Sequence, residues 1–218
     1  MKKHILCFGD SNTHGYTSEP DDCMDGGNRY NEQERWTCLL QQKLGEDYLV
    51  IEEGLNGRTT CFEDPLEEGL SSIPYITPCL KTHADLDLLI IMLGTNDTKA
   101  RFGASAACIG QGMARLVKKA MNTECWGEKG ANVLVVSPPP MPDGVYRGIF
   151  ADTMGDDCAE KSRQLAGYYE QQCALLGCHF ADAAKFGCEF NKTDYMHLTK
   201  KDHALFAEEI YKIVSKLV

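Results

Sequence analysis

Two segments at opposite ends of the chain carry side chains that could together perform nucleophilic catalysis. Ser11 stands in Gly-Asp-Ser-Asn-Thr at residues 9–13, directly after an apolar run. A hydroxyl on a tight strand-to-helix turn can act as a nucleophile. Asp194 and His197 are three residues apart near the C-terminus, a spacing at which a carboxylate can orient an imidazole that serves as a general base. Taken alone, each segment is also ordinary turn or capping sequence.

Two further segments could supply hydrogen-bond donors to a reacting carbonyl oxygen. Gly57 lies in Gly-Leu-Asn-Gly-Arg-Thr-Thr at residues 54–60, and Asn96 lies in Gly-Thr-Asn-Asp at residues 94–97. A backbone N–H at a glycine and a side-chain amide are both suitable donors for a developing oxyanion, although a glycine turn and an Asx turn would also explain them. For the adjacent Arg58 we expect a structural ion pair rather than a substrate contact. Together the segments supply a nucleophile, a base, an orienting group and donors.

Apolar runs that alternate with helical patterns indicate how these segments are positioned. Strands are predicted at His4–Phe8, Tyr48–Ile51, Leu86–Leu93, Asn132–Ser137 and His179–Ala181. Helices are predicted at Trp36–Leu44, Ser71–His83, around the stripe from Ile109 to Ala120, at Asp156–Leu176 and at Thr199–Leu217. The alternation predicts one domain over residues 1–218, an α/β three-layer α/β/α sandwich around a flavodoxin-like five-stranded parallel sheet of order 2-1-3-4-5.

This topology predicts that the candidate residues meet at one edge of the sheet. The segments of Ser11, Gly57 and Asn96 follow the first, second and third predicted strands, and ligands of such sheets bind at the carboxyl ends of the strands. Two long loops, residues 9–34 and 138–152, leave from the same edge. Loops of this length often shape a pocket, so we expect both to contribute to the site.

In chain order, these segments resemble the sequence blocks of the SGNH hydrolases, also called GDSL-type esterases. The resemblance extends from residue 5 to the final helix. It implies a catalytic triad of Ser11, Asp194 and His197, and an oxyanion hole formed by Ser11, Gly57 and Asn96. It also implies a serine esterase that needs no cofactor and no metal.

The amino-acid sequences of residues 9–16 and 54–60 are most similar to those of the bacterial arylesterase and acyltransferase branch of that family. The resemblance implies hydrolysis of esters of carbohydrates or aryl alcohols through an acyl-enzyme, and it favours a homo-oligomer. Short, acetyl-like acyl chains are expected because the sequence shows no apolar lid of the size that a lipid chain needs. This chain has His14 where the branch usually has Trp, which predicts a changed pocket wall. Two alternatives stay open: an acyltransferase with an acceptor other than water, and a non-catalytic small-molecule binder on the same fold.

The composition of the chain limits which classes of partner and which cellular compartment we expect. The chain has 22 Lys and Arg against 32 Asp and Glu, a net charge of −10 at pH 7, which argues against nucleic acid or an anionic membrane as partner. No apolar run approaches the roughly 18 residues of a membrane helix, and the apolar stretch after Lys2 and Lys3 is too short for a signal peptide. We therefore expect a cytoplasmic protein whose partner is a small ester.

Cysteine usage agrees with that compartment. The chain has 11 cysteines, an odd number without any C-x-x-C pair, which fits neither a disulfide framework nor a zinc site. Cys7, Cys79 and Cys108 fall among apolar residues, and we expect most of the cysteines to be reduced, buried side chains.

Overall fold

A computed structural model describes residues 2–218. The strands are β1 (Lys3–Gly9), β2 (Tyr48–Gly54), β3 (Leu88–Met92), β4 (Val133–Ser137) and β5 (His179–Asp182). The helices are α1 (Ser11–His14), α2 (Trp36–Leu44), α3 (Ser72–Thr82), α4 (Ala106–Met121), α5 (Ala151–Met154), α6 (Cys158–Leu176) and α7 (Lys200–Val214). All strand pairs are parallel and the order is β2-β1-β3-β4-β5, so the predicted fold class is confirmed.

Alternate side chains of the central strands form two separate cores, one on each face of the sheet. Leu6 of β1 and Leu89 of β3 face a cluster built with α3, α4 and α6. Ile5 and Leu88, one residue earlier on the same strands, face a second cluster built with α2 and α7. Because successive side chains of a strand point to opposite faces, a strand covered on both faces must be apolar at every position. This explains why every residue of β3 is buried.

The strand register brings the ends of three strands level. Gly9, the last residue of β1, pairs with Gly54 of β2 and with Met92 of β3. A Cβ atom on Gly54 would lie 2.2 Å from the backbone nitrogen of His14, because α1 crosses directly over the end of β2. Glycine is therefore required here, and the close approach places the loops that follow β1, β2 and β3 side by side.

The observed ends of the strands and helices agree with the predicted ends in some places and differ in others, and each outcome has a local cause. Leu86 and Leu93 are buried but lie beyond the ends of β3, since burial in the core extends further than the hydrogen-bonded ladder. Helix α7 begins where its sequence predicts, because Thr199 and Asp202 form a reciprocal capping box. The short helices α1 and α5 were not predicted, since four residues are too few to show a helical period.

All 11 cysteines lie within the described residues as free thiols. Cys7 and Cys79 are buried as expected, whereas Cys108 is exposed near the start of α4, so that part of the prediction is wrong. Within residues 2–218, no helix has the length and apolar character needed to cross a bilayer.

Candidate active site

A continuous chain of hydrogen bonds joins three of the predicted site residues. Ser11 is the first residue of α1, where the preceding Asp10 caps the helix by accepting from the N–H of Asn12 at 3.0 Å. Ser11 Oγ lies 2.8 Å from Nε2 of His197, and Nδ1 of His197 lies 2.7 Å from Oδ2 of Asp194. All three side chains are buried. The arrangement can pass a proton from the hydroxyl to the imidazole.

The Asp194 carboxylate is held by several donors. Its Oδ1 accepts from the backbone N–H groups of Met196 and His197, at 2.8 and 3.0 Å, and from the side-chain amide of Asn191 at 3.1 Å. Its Oδ2 accepts from the hydroxyl of Ser18 as well as from His197. Burial raises the pKa of Asp194, but hydrogen bonds and the charge of His197 outweigh it and lower the pKa to about 2. Asp194 is thus an anion at neutral pH and can keep Nδ1 of the imidazole protonated.

Ser18 and Asn191 were missed by the sequence analysis. Ser18 lies in the long loop 9–34 and is separated from Asp194 by 176 positions, so no local motif links the two residues. Asn191 precedes Asp194 by three residues and also accepts from its N–H at 2.9 Å. Only the spacing of Asn191 from the Asp-His pair could have indicated this role.

Asn12 joins the segment of Ser11 to the segment of His197. Its side-chain amide donates to the carbonyl of Met196 at 3.0 Å, and its side-chain oxygen accepts from the N–H of Leu198 at 2.9 Å. These two residues flank His197. The carbonyl of Asn12 accepts from the indole N–H of Trp36 at 3.1 Å, and Trp36 itself is a core residue. Asn12 therefore fixes the separation between Ser11 and the imidazole of His197.

Three hydrogen-bond donors line the cavity that contains Ser11. The backbone N–H groups of Ser11 and Gly57 find no acceptor in the described part of the chain. The Asn96 amide donates to the carbonyl of Arg58 at 3.2 Å, which fixes its orientation and leaves its second N–H available. Gly57 has a φ of 81°, in the left-handed region that favours glycine. The structure thus brings together all the residues predicted as donors.

A buried carboxylate joins the two loops that carry these donors. Asp97 Oδ1 accepts from the N–H of Thr60 at 2.9 Å and from its hydroxyl. Burial raises the pKa of Asp97 to about 6, despite these hydrogen bonds. The contact connects the residue after Asn96 with a residue three positions after Gly57. It therefore fixes the positions of the two donor loops relative to each other.

The cavity beside Ser11 has a volume of about 320 Å³. Its lining consists of Ser11, Tyr16, Asn56, Gly57, Glu67, Asn96, Lys99, Arg101, Phe150, Thr153, Met154, Met196 and His197. The rings of Tyr16 and Phe150 lie 4.7 and 6.3 Å from the His197 ring, both in edge-on orientation. Tyr16 belongs to the loop 9–34 and Phe150 to the loop 138–152, so both long loops shape the pocket as predicted.

His14 is not part of this lining, and the predicted change of the pocket wall through His14 is wrong. The side chain is half-buried among Arg29, Arg35 and Glu52, on the β2 side of α1. Burial and the charge of Arg29 lower the pKa of His14. The close approach of α1 to the end of β2 explains why this side chain lies away from Ser11.

Both long loops also support the segment that carries Asp194. The N–H of Ile149 donates to the carbonyl of Thr193 at 3.0 Å. Glu19 accepts from the Thr193 hydroxyl at 2.9 Å. Between Asp194 and His197, Tyr195 has a φ of 60°, a strained backbone conformation for a residue other than glycine. The loops therefore stabilise a turn that would be unfavourable alone.

Arg58 is structural, but not through the predicted ion pair. Its guanidinium donates to the carbonyls of Gly9, at 3.0 Å, and Glu53, and it lies 4.1 Å from the Phe8 ring centroid. Within residues 2–218 it has no carboxylate within ion-pair distance. The carbonyl groups at the ends of β1 and β2 satisfy it instead, which rigidifies the Gly57 loop.

One group of described residues could hold a metal ion. The ligand atoms of Glu53, Cys79 and His83 lie within 4.8 Å of one another, away from the Ser11 cavity. The spacing of residues did not reveal this group, because Glu53 comes from β2 and the others from α3 and its end. Tyr75 donates to Oε2 of Glu53 at 3.0 Å, and His83 Nε2 lies 3.1 Å from Oε1. Hydrogen bonds thus account for both carboxylate oxygens.

Comparison with known proteins decides the family. The family model of GDSL-like lipases and acylhydrolases matches residues 7–205. The chain belongs to this family. It is 35% identical to an aryl esterase of M. smegmatis solved with inhibitor bound, over 99% of this chain and 100% of that one, with a TM-score of 0.88. It is 34% identical to a carbohydrate acetylesterase from Sinorhizobium meliloti, over 100% of both chains, with a TM-score of 0.86.

These likenesses make the protein a carboxylic ester hydrolase. A lipase/acylhydrolase from Enterococcus faecalis, 18% identical over 98% of this chain and 96% of that one, shares the fold with a TM-score of 0.68. No curated protein sequence matches the chain.

Proposed function

We propose that this hydrolase is a single-domain serine esterase that cleaves short-chain, acetyl-like esters of carbohydrates or aryl alcohols. The observation that carries the proposal is the chain of hydrogen bonds from Ser11 through His197 to Asp194, which opens onto a cavity lined by free donors. A hydroxyl, an imidazole and an ionised carboxylate in this order form a nucleophile with its base and orienting group.

Acylation begins when Ser11 Oγ forms a bond to the ester carbonyl carbon. Nε2 of His197 takes the hydroxyl proton as this bond forms, and Asp194 stabilises the resulting imidazolium. When the tetrahedral intermediate collapses, the bond from carbon to the alcohol oxygen breaks. His197 then gives its proton to that oxygen, and the free alcohol leaves.

Deacylation repeats these steps with water. His197 takes a proton from the water as its oxygen attacks the acyl carbon, and returns that proton to Ser11 Oγ when the ester bond to the enzyme breaks. The products are the carboxylic acid and the regenerated serine. Asp194 stays ionised throughout, in keeping with its lowered pKa of about 2.

The alcohol part of the substrate is expected to lie beside His197, because His197 must protonate the departing oxygen. Tyr16 and Phe150 border that imidazole. Aromatic rings present apolar faces that stack on aryl rings and on sugar rings. The two named relatives, an aryl esterase and a carbohydrate acetylesterase, support these two classes of alcohol.

We expect Asn96→Ala to lower kcat for p-nitrophenyl acetate by about 10²–10³-fold, with a smaller effect on KM. The Asn96 amide would meet charge that appears on the carbonyl oxygen only in the transition state, and losing one such donor typically has an effect of this size. Steady-state kinetics measure it, with Asn122→Ala as a matched control, since Asn122 donates only to its own helix. An effect confined to KM would make Asn96 a substrate contact.

We expect kcat/KM to fall from p-nitrophenyl acetate to butyrate to octanoate. A cavity of about 320 Å³ must hold both parts of the ester, and its wall includes the polar or charged side chains of Asn56, Glu67 and Arg101. An eight-carbon acyl chain would leave much apolar surface in contact with these groups and with water. Highest activity on octanoate would contradict the short-acyl proposal. A folded protein that cleaves none of the esters would favour the non-catalytic binder.

A further inference from the structure

Lys99 places an unpaired positive charge in the cavity. The residue follows Asn96 by three positions, is only 7% exposed and lines the same cavity as Ser11. Its Nζ makes no hydrogen bond and no ion pair with any residue in the described range 2–218. Nζ is not among the fully buried side-chain atoms that lack a hydrogen-bond partner, so the ammonium group reaches the space of the cavity. The structure therefore presents an unpaired positive charge to whatever occupies the cavity.

The charged groups around Lys99 do not neutralise it by contact. Arg101 also lines the cavity, but it pairs with Asp64 at 3.3 Å. Glu67 is an exposed residue of the cavity wall, and Asp10 is a buried carboxyl whose pKa is raised to about 6, mainly by burial. Burial, followed by the charge of Arg101, lowers the pKa of Lys99. An anionic ligand at Nζ would offset both effects.

We propose that Lys99 binds a carboxylate on the alcohol part of the substrate, which makes the preferred substrates short-chain esters of hydroxy acids. This inference rests on the proposed function. A single unpaired ammonium matches a singly charged carboxylate, and an acetyl-like acyl group has no position that could carry the charge. Both a hydroxybenzoic acid and an acidic sugar combine a ring for Tyr16 and Phe150 with a carboxylate for Lys99.

The test compares p-acetoxybenzoate with the neutral p-acetoxybenzamide, which have the same acyl group and nearly the same shape. The measured quantity is the ratio of kcat/KM for the anionic ester to that for the neutral ester. Lys99→Met is expected to lower this ratio about tenfold relative to the wild type, because charge-assisted hydrogen bonds are among the stronger polar contacts. Comparing ratios cancels the different intrinsic reactivities of the two esters.

Two further variants identify the cause of the effect. Lys99→Arg keeps the positive charge and is expected to keep most of the preference. Lys43→Met removes an equally charged side chain that pairs with Glu208 and lies outside the cavity, and it should leave the ratio unchanged. A ratio that is the same in wild type and Lys99→Met would overturn the inference, as would an equal loss in Lys43→Met.

Failure of the proposed function can be told apart from failure of this inference. If the wild type cleaves neither ester, the esterase proposal fails, and binding of p-hydroxybenzoate is then measured by calorimetry with wild type and Lys99→Met. About tenfold weaker binding to the variant would support the carboxylate site by itself. Equal affinity would overturn it.

Discussion

Ser11→Ala is expected to lower kcat for p-nitrophenyl acetate by about 10⁴-fold or more, while the protein stays folded. Removing the nucleophile of a serine hydrolase has effects of this order or larger, because the acyl-enzyme can no longer form. Ser11 Oγ is the atom within 2.8 Å of His197 Nε2, so the substitution removes both the attacking atom and the proton that the base accepts. Steady-state kinetics of the purified variant, with circular dichroism for the fold, give the result.

A matched serine variant separates this effect from a general loss of hydroxyl groups. Ser105→Ala removes a hydroxyl that caps α4 and lies outside the cavity, so kcat should stay near the wild-type value. Wild-type turnover in Ser11→Ala would place the nucleophile elsewhere, and the thiols would be the first candidates to examine.

Asp194→Asn is expected to lower kcat by about 10⁴-fold, an effect typical of this substitution in serine hydrolases. An amide that donates to Nδ1 of His197 would leave the imidazole proton on Nε2, where it prevents proton transfer from Ser11. The amide nitrogen would then occupy the Oδ2 position, where it also cannot accept from the Ser18 hydroxyl, whereas the amide oxygen at the Oδ1 position still accepts from the N–H groups of Met196 and His197. Kinetics on p-nitrophenyl acetate above and below neutral pH measure the loss.

Asp182→Asn is the matched control, because it makes the same chemical change at the end of β5, outside the cavity wall. Its kcat should equal that of the wild type. A loss of less than tenfold in Asp194→Asn would mean that the carboxylate is not needed to orient His197, and would contradict its place in the triad.

The sheet could be predicted because its strands are apolar for a simple physical reason. The run Leu88–Leu93 is apolar throughout, as a strand covered on both faces must be, and Trp36–Leu44 has the bounds that its helical stripe predicts. The exact strand ends could not be predicted, because burial continues past the last ladder bond at Leu86 and Leu93.

The strand order also explains why the candidate site could be assembled from sequence. Once β1, β2 and β3 are parallel neighbours, the segments that follow them must meet, and Ser11, Gly57 and Asn96 meet there. Contacts made by the long loops are different, since no local pattern relates Ser18 to Asp194. The isolation of Lys99 likewise depends on the positions of distant carboxylates, which only the folded chain defines.

Two predictions about single residues were wrong, each for a reason that depends on the folded backbone. Arg58 was expected to need a carboxylate, but carbonyl groups at the ends of two strands satisfy its guanidinium. His14 was expected in the pocket wall, but the close packing of α1 over Gly54 directs it elsewhere. Neither the availability of carbonyls nor the direction of a side chain in a four-residue helix can be predicted from residue types.

The central claim, that Ser11 is the nucleophile activated by His197, is tested most directly by covalent labelling. The wild-type protein is treated with a fluorophosphonate probe, digested and analysed by peptide mass spectrometry, with Ser11→Ala and His197→Ala treated in parallel. We predict a single label on Ser11 in the wild type, none in Ser11→Ala and strongly slowed labelling in His197→Ala. A label on any other residue, or an unlabelled wild-type protein that still cleaves p-nitrophenyl acetate, would contradict the account.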